Sequence, residues 1–133
     1  EGGFGLADLD ADPVRHDLNL LTNVGASLVT GAPFVMTGLN GLAPLRRLTD
    51  EHVTQGSFDP ATMTLHHLDT LELPEGQVVM PLKERLWTPP EVVALLFHAG
   101  FHEVSVWGGT AGEWGQRPLR LDEIEAMYSC RRR

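Results

Sequence analysis

The sequence predicts an α/β domain, and three observations carry that prediction. Leu86–Gly109 (LWTPPEVVALLFHAGFHEVSVWGG) reads as a complete helix-to-strand unit. Asp12–Leu39 reads as a second such unit, its helix and strand a few residues apart, a connection length typical of a parallel α/β sheet. Glu123–Cys130 reads as a last strand, with Ile124, Ala126, Tyr128 and Cys130 alternating with Glu125, Met127 and Ser129.

The elements follow in order. Gly2, Gly3 and Gly5 make Glu1–Leu6 a glycine-rich turn that does not complete a phosphate-binding pattern. Ala7–Asp12 is an acidic loop that ends on a helix start, Asp12 as N-cap and Pro13 at the first position. Val14, Leu18, Leu21, Val24 (or Gly25) and Leu28 then share one helix face, with Arg15, Asp17, Asn19 and Thr22 off it, and Thr30-Gly31 stops the helix. Pro33–Leu39 (PFVMTGL) reads as a buried strand. Short helices are expected around Leu45–Leu48 and Asp50–Gln55, the second capped by Thr49. Thr62–Leu73 and Val78–Trp87 form a hairpin about Pro74–Gln77, and Pro81 marks an edge strand or a bulge because it cannot donate to a ladder.

Thr88, Pro89 and Glu91 form a T-x-x-E capping box with proline at the first helical position. Gly100 is placed to stop that helix in the left-handed conformation. The helix is apolar on most sides, which reads as largely buried. Phe101–Gly109 is the strand after it. It should pair antiparallel with the last strand, because a loop (Gly108–Leu121) joins them without a helix.

At 133 residues the chain suits one domain, residues 1–133, with 57–87 as an inserted hairpin. A formal net charge of -8, from 18 acidic and 10 basic residues, argues against nucleic acid or an anionic membrane as partner. Arg131–Arg133 reads as a solvated end. No apolar run nears the ~20 residues of a membrane span. The single cysteine, Cys130, excludes an internal disulfide, fits a reducing cytoplasm, and reads as a buried strand residue. A start at Glu1, without methionine and straight into Gly2-Gly3-Phe4-Gly5, reads as the interior of a longer protein.

Chemistry is sparsely marked. Six histidines invite a metal, but Gly100 separates His98 from His102, His66 and His67 point to opposite strand faces, and no H-E-x-x-H exists. No G-x-S-x-G supports a hydrolase. Asp8, Asp10 and Asp12 read as a solvated loop with a cap. Ligands of open α/β sheets bind outside the carboxyl ends of strands, which singles out Asn40 and Arg46 with Arg47. Trp87 and Trp107 bracket the helix–strand unit, and Trp114 in its glycine-rich loop leans toward a pocket wall.

In this order the segments EGGFGL (Glu1–Leu6), LNLLTNVGASLVTGAPFVMTGLN (Leu18–Asn40), FDPATMT (Phe58–Thr64), RLWTPPEVVALLFHAGF (Arg85–Phe101) and VWGGTAGEWGQRPLRLDEIEAM (Val106–Met127) resemble the C-terminal half of a class I S-adenosylmethionine-dependent methyltransferase of the small-molecule branch. The resemblance implies the end of a Rossmann-like seven-stranded sheet. Pro33–Leu39, Phe101–Gly108 and Glu123–Cys130 would be its fifth, sixth and antiparallel seventh strands. Where the family's turn reads L-x-P-G-G, this chain has Val29-Thr30-Gly31-Ala32 and keeps one glycine.

The resemblance further implies S-adenosylmethionine as cofactor and a small-molecule acceptor. Glu1, Gly2, Gly3 and Phe4 would approach the cofactor, and Asn40, Arg46, Arg85, Trp107 and Trp114 would wall the acceptor. The family's main cofactor loop and its second-strand acidic residue have no counterpart in these residues. An uncovered strand edge is therefore expected to pair with an N-terminal segment or a second copy, as a dimer. The rival expectation is a non-catalytic binding or dimerisation module of the same fold.

Overall fold

A computed structural model describes residues 3–7 and 9–133. Among the described residues there are two antiparallel sheets and four helices. Strand β1 (Leu6–Ala7) leads into helix α1 (Pro13–Ala26), strand β2 (Pro33–Leu39), and short helices α2 (Leu42–Leu45) and α3 (Asp50–Thr54). Then come β3 (Phe58–Asp59), β4 (Thr64–Leu73), β5 (Gly76–Arg85), α4 (Pro89–His98), β6 (Phe101–Gly108) and β7 (Glu125–Arg132).

The helix ends follow their sequence signals. The Asp12 carboxylate accepts from Val14 N–H (2.9 Å) and Arg15 N–H (3.2 Å), satisfying two orphan donors of α1. At α4 the Thr88–Glu91 box forms, and the Glu91 carboxylate accepts from the Thr88 N–H (2.9 Å) and hydroxyl (2.7 Å). Gly100 takes φ +90° past the end of α4, as a left-handed helix stop requires. The short helix expected around Leu45–Leu48 lies three residues earlier, at Leu42–Leu45.

One sheet has the order β2-β7-β6. β7 runs antiparallel to both neighbours, from Pro33↔Arg131 to Leu39↔Glu125 on one side and from Phe101↔Arg132 to Gly108↔Ala126 on the other. β2 and β6 therefore point the same way but flank β7 and share no ladder. The expected parallel pairing is corrected: every strand pair among the described residues is antiparallel. β7 starts at Glu125, two residues after the expected Glu123. Ile124, expected to face inward, precedes the strand and is 71% exposed.

The core lies where α1 and α4 cover one face of this sheet. Leu21, Val92, Leu96, Phe101, Ala126 and Tyr128 are its most buried apolar side chains, and Phe34 stacks on Phe101 with ring centroids 5.1 Å apart. Helix α4 buries Pro89, Val92 and Leu96, and Phe97 is exposed, so it is less enclosed than its composition suggested. On α1 the buried residues are Asp17, Leu21 and Gly25, whereas Val14 is exposed. The face is rotated from the expected one because Asp17 has interior partners.

Arg132 is the other departure. Its guanidinium donates to Gly25 O (2.8 Å) and Gly100 O (2.6 Å), so one cation serves the carboxyl ends of α1 and α4 together. It is half-buried rather than part of a solvated tail.

Cys130 is buried, and burial pushes its thiol up to about 11, so it is a packing residue. The Tyr128 hydroxyl is buried with no hydrogen-bond partner among the described residues, and burial pushes its ionisation above the ordinary tyrosine range. An unpaired buried hydroxyl costs free energy, so Tyr128→Phe is expected to raise stability by about 1 kcal/mol. Urea unfolding measures it, and a loss of stability contradicts it.

The second sheet has the order β1-β5-β4-β3. β4 and β5 pair over their whole length, from Thr64↔Arg85 to Leu73↔Gly76, and Gly76 takes φ +130° after the Pro74-Glu75 turn. Pro81 pairs with Leu68 on one side, while among the described residues β1 covers only Lys83 and Glu84 on the other. Pro81 thus sits where β5 is an edge, as its missing donor demands.

Candidate functional site

Three contiguous recesses open at the carboxyl ends of β2 and β6, and all are lined by Ile124. The chain after β2 is fixed tightly there. Fully buried Asn40 donates through Nδ2 to Glu123 O (2.9 Å) and accepts at Oδ1 from Leu42 N–H (3.2 Å). Its own N–H donates to Ile124 O (2.7 Å). Gly41 then passes the β5–α4 junction so closely that a Cβ would lie 2.7 Å from Trp87 O and 2.8 Å from Leu86 C, which only glycine tolerates.

The wall from β6 to β7 is built on Glu123, a buried carboxylate. It accepts from the Thr110 hydroxyl (2.6 Å), Arg120 N–H (2.7 Å) and the Arg117 guanidinium. The Arg117 bond, then Thr110 and Arg120, hold its carboxyl well below the usual carboxylate range. The loop between β6 and β7 is therefore folded around one charge.

The first recess, about 280 Å³, lies between Gly3, Phe4, Leu6, Gly38, Leu39 and Ile124. A Cβ on Gly38 would meet the Phe4 ring at 3.4 Å, and Phe4 stacks on Trp87 with centroids 6.1 Å apart. Beneath this turn, fully buried Asp17 accepts from Gly5 N–H (3.0 Å), the Trp87 indole N–H (2.5 Å) and His16 Nδ1 (2.9 Å). The second recess, about 400 Å³, shares Leu39 and Ile124 with the first and adds Ala43, Pro44, Arg47 and Glu84. The third, about 510 Å³, runs along Thr110, Arg120, Asp122 and Glu125.

Of the predicted site residues, this rim brings together three. Gly3, Phe4 and Asn40 line it, while Glu1 and Gly2 lie outside the described residues. Arg47, rather than Arg46, lines the second recess. Buried Arg85 donates to Glu91 Oε1 (2.8 Å) and Leu86 O (3.0 Å) and lies 4.3 Å over the Trp87 ring. Burial pushes the Glu91 carboxyl up, but Thr88 and Arg85 together hold it below the ordinary range. Arg85 lines a separate recess of about 450 Å³ with Lys83, His66 and Thr64. Trp107 donates to the Ser129 hydroxyl (3.3 Å), Trp114 is 55% exposed, and neither lines these recesses.

Glu84, Asp17 and Glu123 are the carboxylates that the sequence reading missed. Asp17 had a signal, the i, i+4 spacing with Leu21 and Gly25. Among the described residues no group of three or more His, Cys, Asp or Glu is placed to hold a metal ion, and no helix is long and apolar enough to cross a membrane.

No protein-family model matches the chain, and no curated protein matches it. Among solved structures the chain is similar to the CcbJ methyltransferase from Streptomyces caelestis, with a TM-score of 0.62 at 16% identity. The likeness covers 90% of this chain and 54% of that one, so the chain spans about half the length of that structure. The shared property is a methyltransferase-like fold.

Proposed function

We propose that this chain is the acceptor-side half of an S-adenosylmethionine-dependent methyltransferase that acts on a small molecule. The observation that carries the reading is the join of a methyltransferase-like fold to linked recesses at the carboxyl ends of β2 and β6. In this reading β2, β6 and β7 take the places of the family's fifth, sixth and antiparallel seventh strands. The β2 edge away from β7 receives a parallel strand of the cofactor-binding half.

When bound, S-adenosylmethionine supplies a methyl group already activated on sulfur. The residues present fit one end of it. Gly3, Phe4 and Gly38 offer an apolar, side-chain-poor wall, and about 280 Å³ falls just short of the roughly 300–1,000 Å³ of complete ligand sites. The remaining contacts belong to the other half. The chain's own residues position the acceptor beside that wall, in the recess of Leu39, Ala43, Pro44, Arg47 and Glu84. Alignment of the reacting atoms does most of the work in methyl transfer, so precise walls matter more than reactive side chains.

A second reading, a binding or dimerisation module, draws on Val35, which is 59% exposed on β2, a strand whose edge away from β7 carries no neighbour among the described residues. Titration calorimetry of the native-length protein with S-adenosylhomocysteine, together with transfer of labelled methyl to small molecules, separates the two. Binding and transfer are expected. A native-length protein that binds neither cofactor form and self-associates through β2 overturns the enzyme reading.

A further inference from the structure

We propose that Glu84 is the acceptor-binding group of the second recess, its carboxylate pairing with a protonated amine and taking that nitrogen's proton. The inference rests on the methyltransferase reading and deepens it to a substrate class.

Backbone geometry selects Glu84. It lies opposite Leu6 of β1 and Leu65 of β4, so its place is fixed by ladders on both sides. The two-residue period of a strand sends Lys83 and Arg85 to the opposite recess, with His66 and Thr64. Glu84 alone of the three faces Leu39, Ala43, Pro44 and Ile124. Leu6, its cross-strand partner, lines the adjoining cofactor-side recess. An acceptor held by Glu84 is thereby next to the Phe4–Gly38 wall.

Occupancy points the same way. The carboxylates of Asp17, Glu91 and Glu123 are each filled by three or more donors. Glu84 has no hydrogen-bonding partner among the described residues, and burial raises its proton affinity against a smaller opposing pull from His67. A partly desolvated carboxylate without a donor gains from a cation. The other charged groups facing it are Arg47 and Asp122, which line the same recess.

A small amine satisfies the carboxylate with its N–H groups and fills the apolar remainder with its carbon skeleton. About 400 Å³ lies within the usual ligand range. The proton step balances simply. An N–H bond of the ammonium breaks, an O–H bond forms on the Glu84 carboxylate, and the lone pair stays on nitrogen, ready to act as nucleophile.

The test uses benzylamine and benzyl alcohol as probes of the native-length protein, read by amide NMR shifts at Leu39, Ala43 and Ile124. Benzylamine is expected to bind about tenfold tighter, the factor of one charge-assisted hydrogen bond. Glu84→Gln, with native spectra elsewhere, is expected to erase the preference, and Glu84→Asp to keep part of it. The Glu84 carboxyl carbon should titrate above the ordinary carboxylate range and move down when benzylamine is bound. Equal binding of the two probes, or a preference that survives Glu84→Gln, overturns the proposal. Methyl transfer without an amine preference overturns this inference and leaves the enzyme reading standing. An amine preference without methyl transfer or cofactor binding supports the Glu84 pairing and overturns the enzyme reading.

Discussion

Replacing Asp17 by alanine is expected to cost the fold about 3 kcal/mol, since two interior donors each lose their acceptor at roughly 1–3 kcal/mol apiece. Those donors are the Gly5 N–H and the Trp87 indole N–H, both held by one fully buried carboxylate oxygen. The loss extends beyond stability. Gly5 carries the turn of Gly3 and Phe4, and Trp87 supports the Phe4 ring, so the first recess loses its floor. Asp17→Asn keeps one acceptor oxygen and is expected to cost less. Urea unfolding followed by tryptophan fluorescence measures both variants. A loss below about 1 kcal/mol for alanine means that the carboxylate does not hold Trp87 in place.

The second large effect is acid sensitivity at Glu123. Its carboxyl is held low by Arg117, Thr110 and Arg120 in the folded state, against about 4.3 in an unfolded chain. A depressed carboxyl stabilises the fold above the unfolded value, and that contribution is lost as pH falls toward the folded value. Wild-type stability should therefore decline below about pH 4.5. Glu91, also held low, contributes in the same direction. Glu123→Gln should lower the Tm by several degrees at pH 7, and the gap to wild type should narrow steadily toward pH 2. Thermal melts across pH 2–7 decide it. A gap that is constant with pH shows that the charge on Glu123 is not what orders the loop between β6 and β7.

These two carboxylates also show where sequence reading ran out. Asp12-Pro13, Thr88-Pro89-Glu91 and Gly100 were legible because caps and stops act within one turn of backbone. The β4–β5 hairpin and buried Ala126, Tyr128 and Cys130 were legible from a period of two. The partners of Asp17 were not, because Trp87 lies 70 residues away and Gly5 is 12 residues before it. A polar residue on a helix reads as solvated until its interior donors are known. Arg132 looked like a tail for the same reason, its acceptors being carbonyls at Gly25 and Gly100.

Asn40 lay where the strand-end rule put it, but its amide is occupied by Glu123 O and Leu42 N–H. Position was legible there, and hydrogen-bonding availability was not. The parallel pairing failed on a different ground. A short helix-to-strand connection fixes the direction of a strand, and here β7 intervenes between β2 and β6, which point alike.

The β4–β5 ladder has a consequence for how charge is allotted. Lys83, Glu84 and Arg85 are consecutive, so the two faces of β5 carry opposite signs at this end. A slip of one residue would exchange the faces. A cation would enter the recess beside Leu39, and the carboxylate would join the recess of His66. Hairpin register is in effect a polarity selector, set some ten residues away by the Pro74-Glu75 turn and Gly76. Insertions of an odd number of residues on one strand would invert the electrostatic character of the site while leaving its amino-acid composition nearly untouched. Related chains with a longer hairpin could thus differ in the charge they accept without a single substitution at the rim.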